Sequence, residues 1–179
     1  MMRDFVLVNL LFILTLVTPS SLAEVPPYYT QVASSYDMPP EVLYAVALQE
    51  SRLPSGVLHG ISKPWPWTLN CEGKPYYLAS KSIASEYASV LLAAGFNCDI
   101  GLMQTNWKWQ KHRFDSIDEA LDPYSNISVA ASILREWYDK RGSWGAAVGA
   151  YHSPSNAERA SAYTRRVKSH LVKLIESDN

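Results

Sequence analysis

The chain has 179 residues and a mass of 20.1 kDa, the size of one domain rather than two. Hydrophobic residues make up 47% and charged residues 18%, which excludes a disordered tail and a charge-rich coiled coil. The Lys and Arg total of 16 against 17 Asp and Glu leaves a net charge of −1, without the positive excess that nonspecific nucleic-acid binding draws on, so no nucleic-acid partner is expected.

In chain order, Phe5–Val17 comes first as a 13-residue apolar run, too short to span a hydrocarbon core of about 30 Å comfortably. Ser21 and Ala23 follow at the spacing that signal peptidase reads. The expectation is a signal peptide over 1–23 and a mature domain over 24–179, with a retained N-terminal anchor as the alternative. No Cys lies near the cleavage point, so a lipoprotein anchor is not expected. Export permits a disulfide between Cys71 and Cys98; two buried free thiols are the alternative. Those two Cys and four scattered His show no metal-ligand spacing, and no metal or cofactor is expected.

The mature region reads as mostly helical. Tyr29, Val32, Ala33 and Tyr36 form an i, i+3, i+4, i+7 stripe. A second helix is expected over Pro40–Ser51, opened by proline and Glu41, with Leu43, Val46 and Ala47 inward. Gly, Pro and Trp then break the pattern from Leu53 to Pro75, with a small hairpin joining Trp67–Asn70 to Tyr76–Leu78 through Glu72-Gly73-Lys74. The third helix is expected over Ser82–Ala94, with Ile83, Tyr87, Val90, Leu91 and Ala94 inward and Gly95 as its stop. Ser116 to Glu119 reads as a capping box for a short helix. Further helices are expected over Ile127–Lys140, Trp144–Tyr151 and Ala160–Glu176, the last with Tyr163, Val167, His170, Leu171 and Leu174 in one stripe. The fold class is mainly α with a minor β-hairpin.

Glu50 does not fit this pattern. It continues the apolar face of its helix, where a charged carboxylate is costly and its pKa should rise unless a cation pairs with it. Arg52, two positions on, points elsewhere on a helix. A carboxyl group kept protonated near neutral pH is what glycosidic cleavage requires, since the leaving oxygen must receive a proton. By periodicity alone, the ordinary alternative is a helix-end Glu facing solvent or a Lys.

Three short segments occur in order: Glu50-Ser51, Gly101-Leu102-Met103-Gln104 with Asn106, and Ala150-Tyr151-His152. Together they resemble the motifs of the lytic transglycosylases of the soluble lytic transglycosylase (SLT) domain family, whose fold is goose-type lysozyme-like. The resemblance extends from about Tyr29 to Val172. Pro64 to Asn70 and Gly73 to Tyr77 look like the specialised branch that accompanies conjugation, type IV pilus and type III secretion machines. His152 stands where the broad family has Asn, and Thr105 where it has Ile or Val.

The resemblance implies a lysozyme-like α+β domain, peptidoglycan glycan strands as substrate, and components of a secretion, pilus or conjugation machine as partners; the expected signal peptide places the protein in the periplasm, and a monomer is expected. It implies cleavage of the MurNAc–GlcNAc β-1,4 bond by Glu50 alone, without the second carboxylate of ordinary glycosidases. Glu50 protonates the bridging oxygen, the substrate's acetamido group stabilises C1, and the resulting carboxylate takes a proton from the 6-hydroxyl as it closes a 1,6-anhydro ring. Tyr151 is expected to donate its phenol hydrogen to Glu50, Ser51 and Gln104 to meet sugar, Met103 to wall the cleft, and Gly101 to let the backbone turn or approach substrate. Asn106 completes the second motif, His152 reads as a structural neighbour, and Trp65, Trp67 and Trp107 are sugar-stacking candidates in irregular segments. Trp137 reads as core packing and Asp99 as a turn or capping residue. The rival functions are a hydrolase with water as acceptor and a noncatalytic murein-binding assembly protein.

Overall fold

The computed structural model describes residues 25–54 and 63–177. The expected signal peptide at 1–23 and residues 55–62 of the irregular segment lie outside the described residues. Among the described residues no helix is long and apolar enough to cross a membrane.

The helices assemble around α2 (Pro40–Ser51). Every residue from Leu43 to Ala47 is buried, so α2 is enclosed on all sides and not merely along a stripe. Packed around it are α1 (Pro27–Ser34), α6 (Pro123–Arg141), α7 (Trp144–His152) and α8 (Ala157–Ser177), which share one apolar core. Two of these helices begin earlier than periodicity suggests. Asp122 caps α6 by accepting from the Ser125 N–H at 3.0 Å, with Pro123 at the first position. Asn156 does the same for α8, accepting from the Arg159 N–H at 2.9 Å. Both are N-terminal signals in which a short polar side chain satisfies an orphan amide.

A second core lies under a four-stranded antiparallel sheet of order β2-β1-β3-β4. The expected hairpin is β1 (Thr68–Cys71) and β2 (Lys74–Tyr77). Its turn places Glu72 at φ 51° and Gly73 at φ 81°, the left-handed pair that a tight two-residue hairpin demands. The hairpin is only half of the sheet. β3 (Cys98–Ile100) and β4 (Thr105–Asn106) extend it, and both are too short to leave a period-2 signature. Cys71 and Cys98 face each other across β1 and β3 and form the disulfide. Replacing both by Ser reopens a loop of about 28 residues and should lower unfolding stability by about 3–4 kcal/mol, read as a fall in the urea midpoint; an unchanged midpoint would contradict this.

The remaining helices are α3 (Lys81–Ala93), the short α4 (Trp107–Gln110), which a 3₁₀ turn follows, and α5 (Ile117–Ala120). In α3 the expected inward face is corrected. Ala84 and Ala88 are the buried residues, while Ile83 and Val90 are 47% and 63% exposed. Small side chains occupy the position where this helix meets β1 and β3, while Leu91, expected inward, packs partly buried against the same core. Its cap is Ser80, which accepts from the Ile83 N–H at 3.3 Å. The capping Ser of α5 is Ser116, as expected, accepting from Glu119 N–H at 3.1 Å. The Glu119 carboxylate, however, reaches Asp115 N–H at 2.6 Å instead of closing the box on Ser116.

Candidate active site

The last turn of α2 carries Glu50 out of the helical core to the floor of a cleft of about 460 Å³ between the helices and the sheet. Asp99, Gln104, Thr105 and Asn106 line the sheet side, Trp109 and Gln110 come from α4, Ile133 and Trp137 from α6, and Ala150, Tyr151 and His152 from α7. The alternation of β3 explains Asp99: Cys98 and Ile100 point into the second core and are fully buried, so the residue between them points to the cleft.

Burial pushes the Glu50 carboxyl up to about 7, and the negative charge of Asp99 adds to the rise. A hydrogen bond from Tyr163 and the guanidinium of Arg166 act in the opposite direction. Glu50 is therefore largely protonated below neutrality, with a cleft at its tip. The solvent-facing alternative raised by periodicity is not what the structure shows.

The donor to Glu50 is a correction. The Tyr163 hydroxyl, from α8, donates to Glu50 Oε1, whereas the Tyr151 hydroxyl donates to the Met103 carbonyl at 2.7 Å. Tyr163 sits on the apolar stripe where the sequence places it, 1% exposed. A buried tyrosine still needs a partner for its hydroxyl. The clue was available: an acid and a phenol, each a polar misfit on a core stripe, satisfy one another. The His152 ring lies parallel to Tyr163, centroids 4.4 Å apart at 5°, and the Arg166 guanidinium sits 5.6 Å from the Tyr163 ring centroid. His152 therefore stacks against the ring that holds Glu50.

The second motif forms the turn between β3 and β4. Gln104 lines the cleft from a left-handed backbone, φ 46°. Its Nε2 donates to the Gly101 carbonyl at 2.8 Å and to the Thr68 carbonyl at 3.2 Å. Asn106 reaches across the β3–β4 register and donates from Nδ2 to Asp99 Oδ1 at 2.7 Å. Gly101 takes φ 81°, and a Cβ there would lie 2.7 Å from Asn126 Nδ2. Gly101 thus makes the expected turn, and what its missing Cβ admits is the Asn126 side chain.

Asn126, from α6, was not singled out by sequence. It is 1% exposed, accepts from the Met103 N–H at 2.8 Å, and places Nδ2 at 3.0 Å from the Ile100 carbonyl and 2.9 Å from the Ala120 carbonyl. One buried amide thereby pins the whole turn. An Asn within a helical apolar stripe is the only trace it leaves in the sequence.

Several expectations are corrected by packing. Met103 is fully buried in the helical core and is not a wall of the cleft. Ser51 is buried, and its hydroxyl donates back to the Ala47 carbonyl at 3.3 Å, so it does not face the cleft. Trp65 and Trp67 pack edge-to-face, 5.3 Å between centroids, and Trp107 stacks on Phe114; none of the three lines the cleft. Trp137, read as core packing, lines it instead, with Lys140 and Arg141 flanking its ring at 5.0 and 5.6 Å. Trp109, for which the sequence carries no functional signal, also lines it and is 66% exposed. Asp99, read as a turn or capping residue, is a strand residue in the cleft.

The family model described as "Transglycosylase SLT domain" matches residues 27–172. The chain belongs to that family, and membership indicates a lytic transglycosylase acting on peptidoglycan. No curated protein and no solved structure matches the chain.

Proposed function

We propose that this protein cleaves the MurNAc–GlcNAc β-1,4 bond of peptidoglycan and leaves a 1,6-anhydroMurNAc end, with Glu50 as both acid and base. The observation that carries this reading is a carboxyl raised to about 7 at the floor of a cleft. As an acid it can protonate the bridging oxygen. Once ionised it is a base strong enough to take the proton of the 6-hydroxyl. Trp109 and Trp137 offer aromatic faces along the cleft for sugar rings. The cellular role we infer is local murein opening in the periplasm while a secretion, pilus or conjugation apparatus is assembled. Support for that role is the similarity of the Pro64–Tyr77 segment, which contains the β1–β2 hairpin, to the specialised branch.

The test is mass spectrometry of sacculi digested by the mature protein. Anhydro ends are expected; reducing ends would make the protein a hydrolase, and intact sacculi a binding protein.

Tyr163→Phe gives a second expected result. The hydroxyl stabilises the Glu50 carboxylate, so its loss raises the Glu50 pKa further and moves the alkaline limb of the pH–rate profile to higher pH. The rate at pH 6 should fall by about ten-fold because the carboxyl is less well oriented. An alkaline limb that stays in place would contradict the assignment.

A further inference from the structure

Asp99 is the second carboxylate among the described residues that line the cleft. It is held, not loose: Asn106 Nδ2 donates to its Oδ1 at 2.7 Å, across a β-sheet register that sets both side chains on one face. Among the described residues its Oδ2 has no hydrogen-bond partner, so one oxygen is anchored and the other is available to a donor in the cleft. Ser51, which the family resemblance would send to the substrate, has its hydroxyl committed to the Ala47 carbonyl, and the Gln104 NH₂ group is committed to two backbone carbonyls.

We propose that Asp99 Oδ2 accepts the N–H of the MurNAc acetamido group and stabilises the bicyclic oxazolinium that this group forms when it attacks C1. This rests on the function proposed above.

The step balances without any further reagent. The Glu50 carboxyl proton goes to the bridging oxygen and the C1–O bond breaks. The acetamido carbonyl oxygen bonds to C1, and the positive charge spreads onto the amide nitrogen. Its N–H stays bonded to nitrogen and points at the Asp99 carboxylate. The Glu50 carboxylate then takes the 6-hydroxyl proton, O6 bonds to C1, and the oxazolinium reopens to a neutral acetamide. An amide oxygen such as that of Gln104 could accept the same N–H in the ground state. An anionic acceptor strengthens far more than a neutral one as the ring becomes cationic, and interactions that strengthen in the transition state are those that raise kcat.

The two carboxylates divide their roles by environment. Facing Glu50 are Tyr163 and Arg166 from α8, Tyr151 and His152 from α7, and Asp99 from β3. Facing Asp99 are Asn106 from β4, Glu72 from the hairpin turn, and Glu50 and Tyr151. Burial raises Asp99, while the Asn106 donor favours its charged form. Glu50 is the carboxyl carried up to about 7, and it is the proton donor of the two.

The test compares wild type with Asp99→Asn, an isosteric change whose oxygen can still accept from Asn106. On peptidoglycan strands kcat should fall about 100-fold with KM within about three-fold. The alkaline limb should move to lower pH because a negative neighbour of Glu50 is gone. Affinity for GlcNAc-thiazoline, measured in acid where its ring nitrogen is protonated and mimics the bicyclic ion, should weaken at least about ten-fold, while affinity for a GlcNAc tetramer stays the same. Unchanged thiazoline affinity, equal weakening of both ligands, or unaltered kcat would overturn the proposal. If Asp99→Asn does not fold, Asn106→Ala provides the second variant: it releases Asp99 and should weaken thiazoline selectively, and equal affinity to wild type would overturn the idea. Reducing ends from the wild type would sink the transglycosylase reading separately, since thiazoline affinity is read without turnover.

Discussion

Glu50→Gln should still bind sacculi and should clear them at least about 1,000-fold more slowly than wild type. Gln occupies the same volume, and its oxygen can accept the Tyr163 hydrogen bond, so the cleft keeps its shape. What is lost is the proton delivered to the bridging oxygen and the base that later receives one. Both halves of the reaction fail together, which is why a single substitution should cost more than removal of an ordinary general acid. Turnover within ten-fold of wild type would remove Glu50 from the chemistry. The same variant should be more stable than wild type at alkaline pH. The native Glu50 pKa of about 7 exceeds the unfolded value of about 4.5. Between those values the unfolded state releases a proton that the native state retains, so wild-type stability falls as pH rises from about 4.5 to 7 and is flat beyond. Glutamine does not titrate. The gain should reach at most about 3 kcal/mol at pH 8 and vanish below pH 4, measured by urea unfolding at both pH values. A variant that is less stable than wild type at pH 8 would contradict the desolvated carboxyl.

Asn126→Ala should destabilise the fold by about 3–5 kcal/mol. The amide side chain satisfies the Met103 N–H and contacts the Ile100 and Ala120 carbonyls in a fully buried site. Alanine strands those groups away from water and leaves a void beside Gly101, whose left-handed turn is built against this side chain. Activity should fall with stability, because the Gly101–Gln104 turn carries Gln104 into the cleft and offers the Met103 carbonyl to Tyr151. A midpoint within about 0.5 kcal/mol of wild type would show that the turn holds itself.

The helices were legible where a stripe and a terminus coincide. α2 and α7 fall within a residue of their expected bounds because proline, serine and the apolar period agree. α6 was read four residues short because Asp122-Pro123 is polar and carries no periodicity, though it is the stronger signal. β3 and β4 were missed, since strands of three and two residues have no pattern to read. Within the site, Glu50 was visible as a charge out of place. The partner of Glu50 was not, because Tyr151 and Tyr163 are both aromatic residues on apolar helices, and only the packing of α8 on α2 decides which hydroxyl reaches the acid. Trp109 and Trp137 line the cleft while Trp67 and Trp107 do not, for a related reason: residence in an irregular segment says nothing about which way an indole is turned once a second core forms beneath the sheet.

Glu50 holds its proton to near neutrality and, on the proposed mechanism, gives it to substrate. A ¹³C NMR titration of its carboxyl, set beside the pH–rate profile, tests that most directly. The expected midpoint is near 7 and coincides with the alkaline fall in rate. A carboxyl that titrates near the ordinary 4.5, with activity persisting above it, would rule Glu50 out as the proton donor.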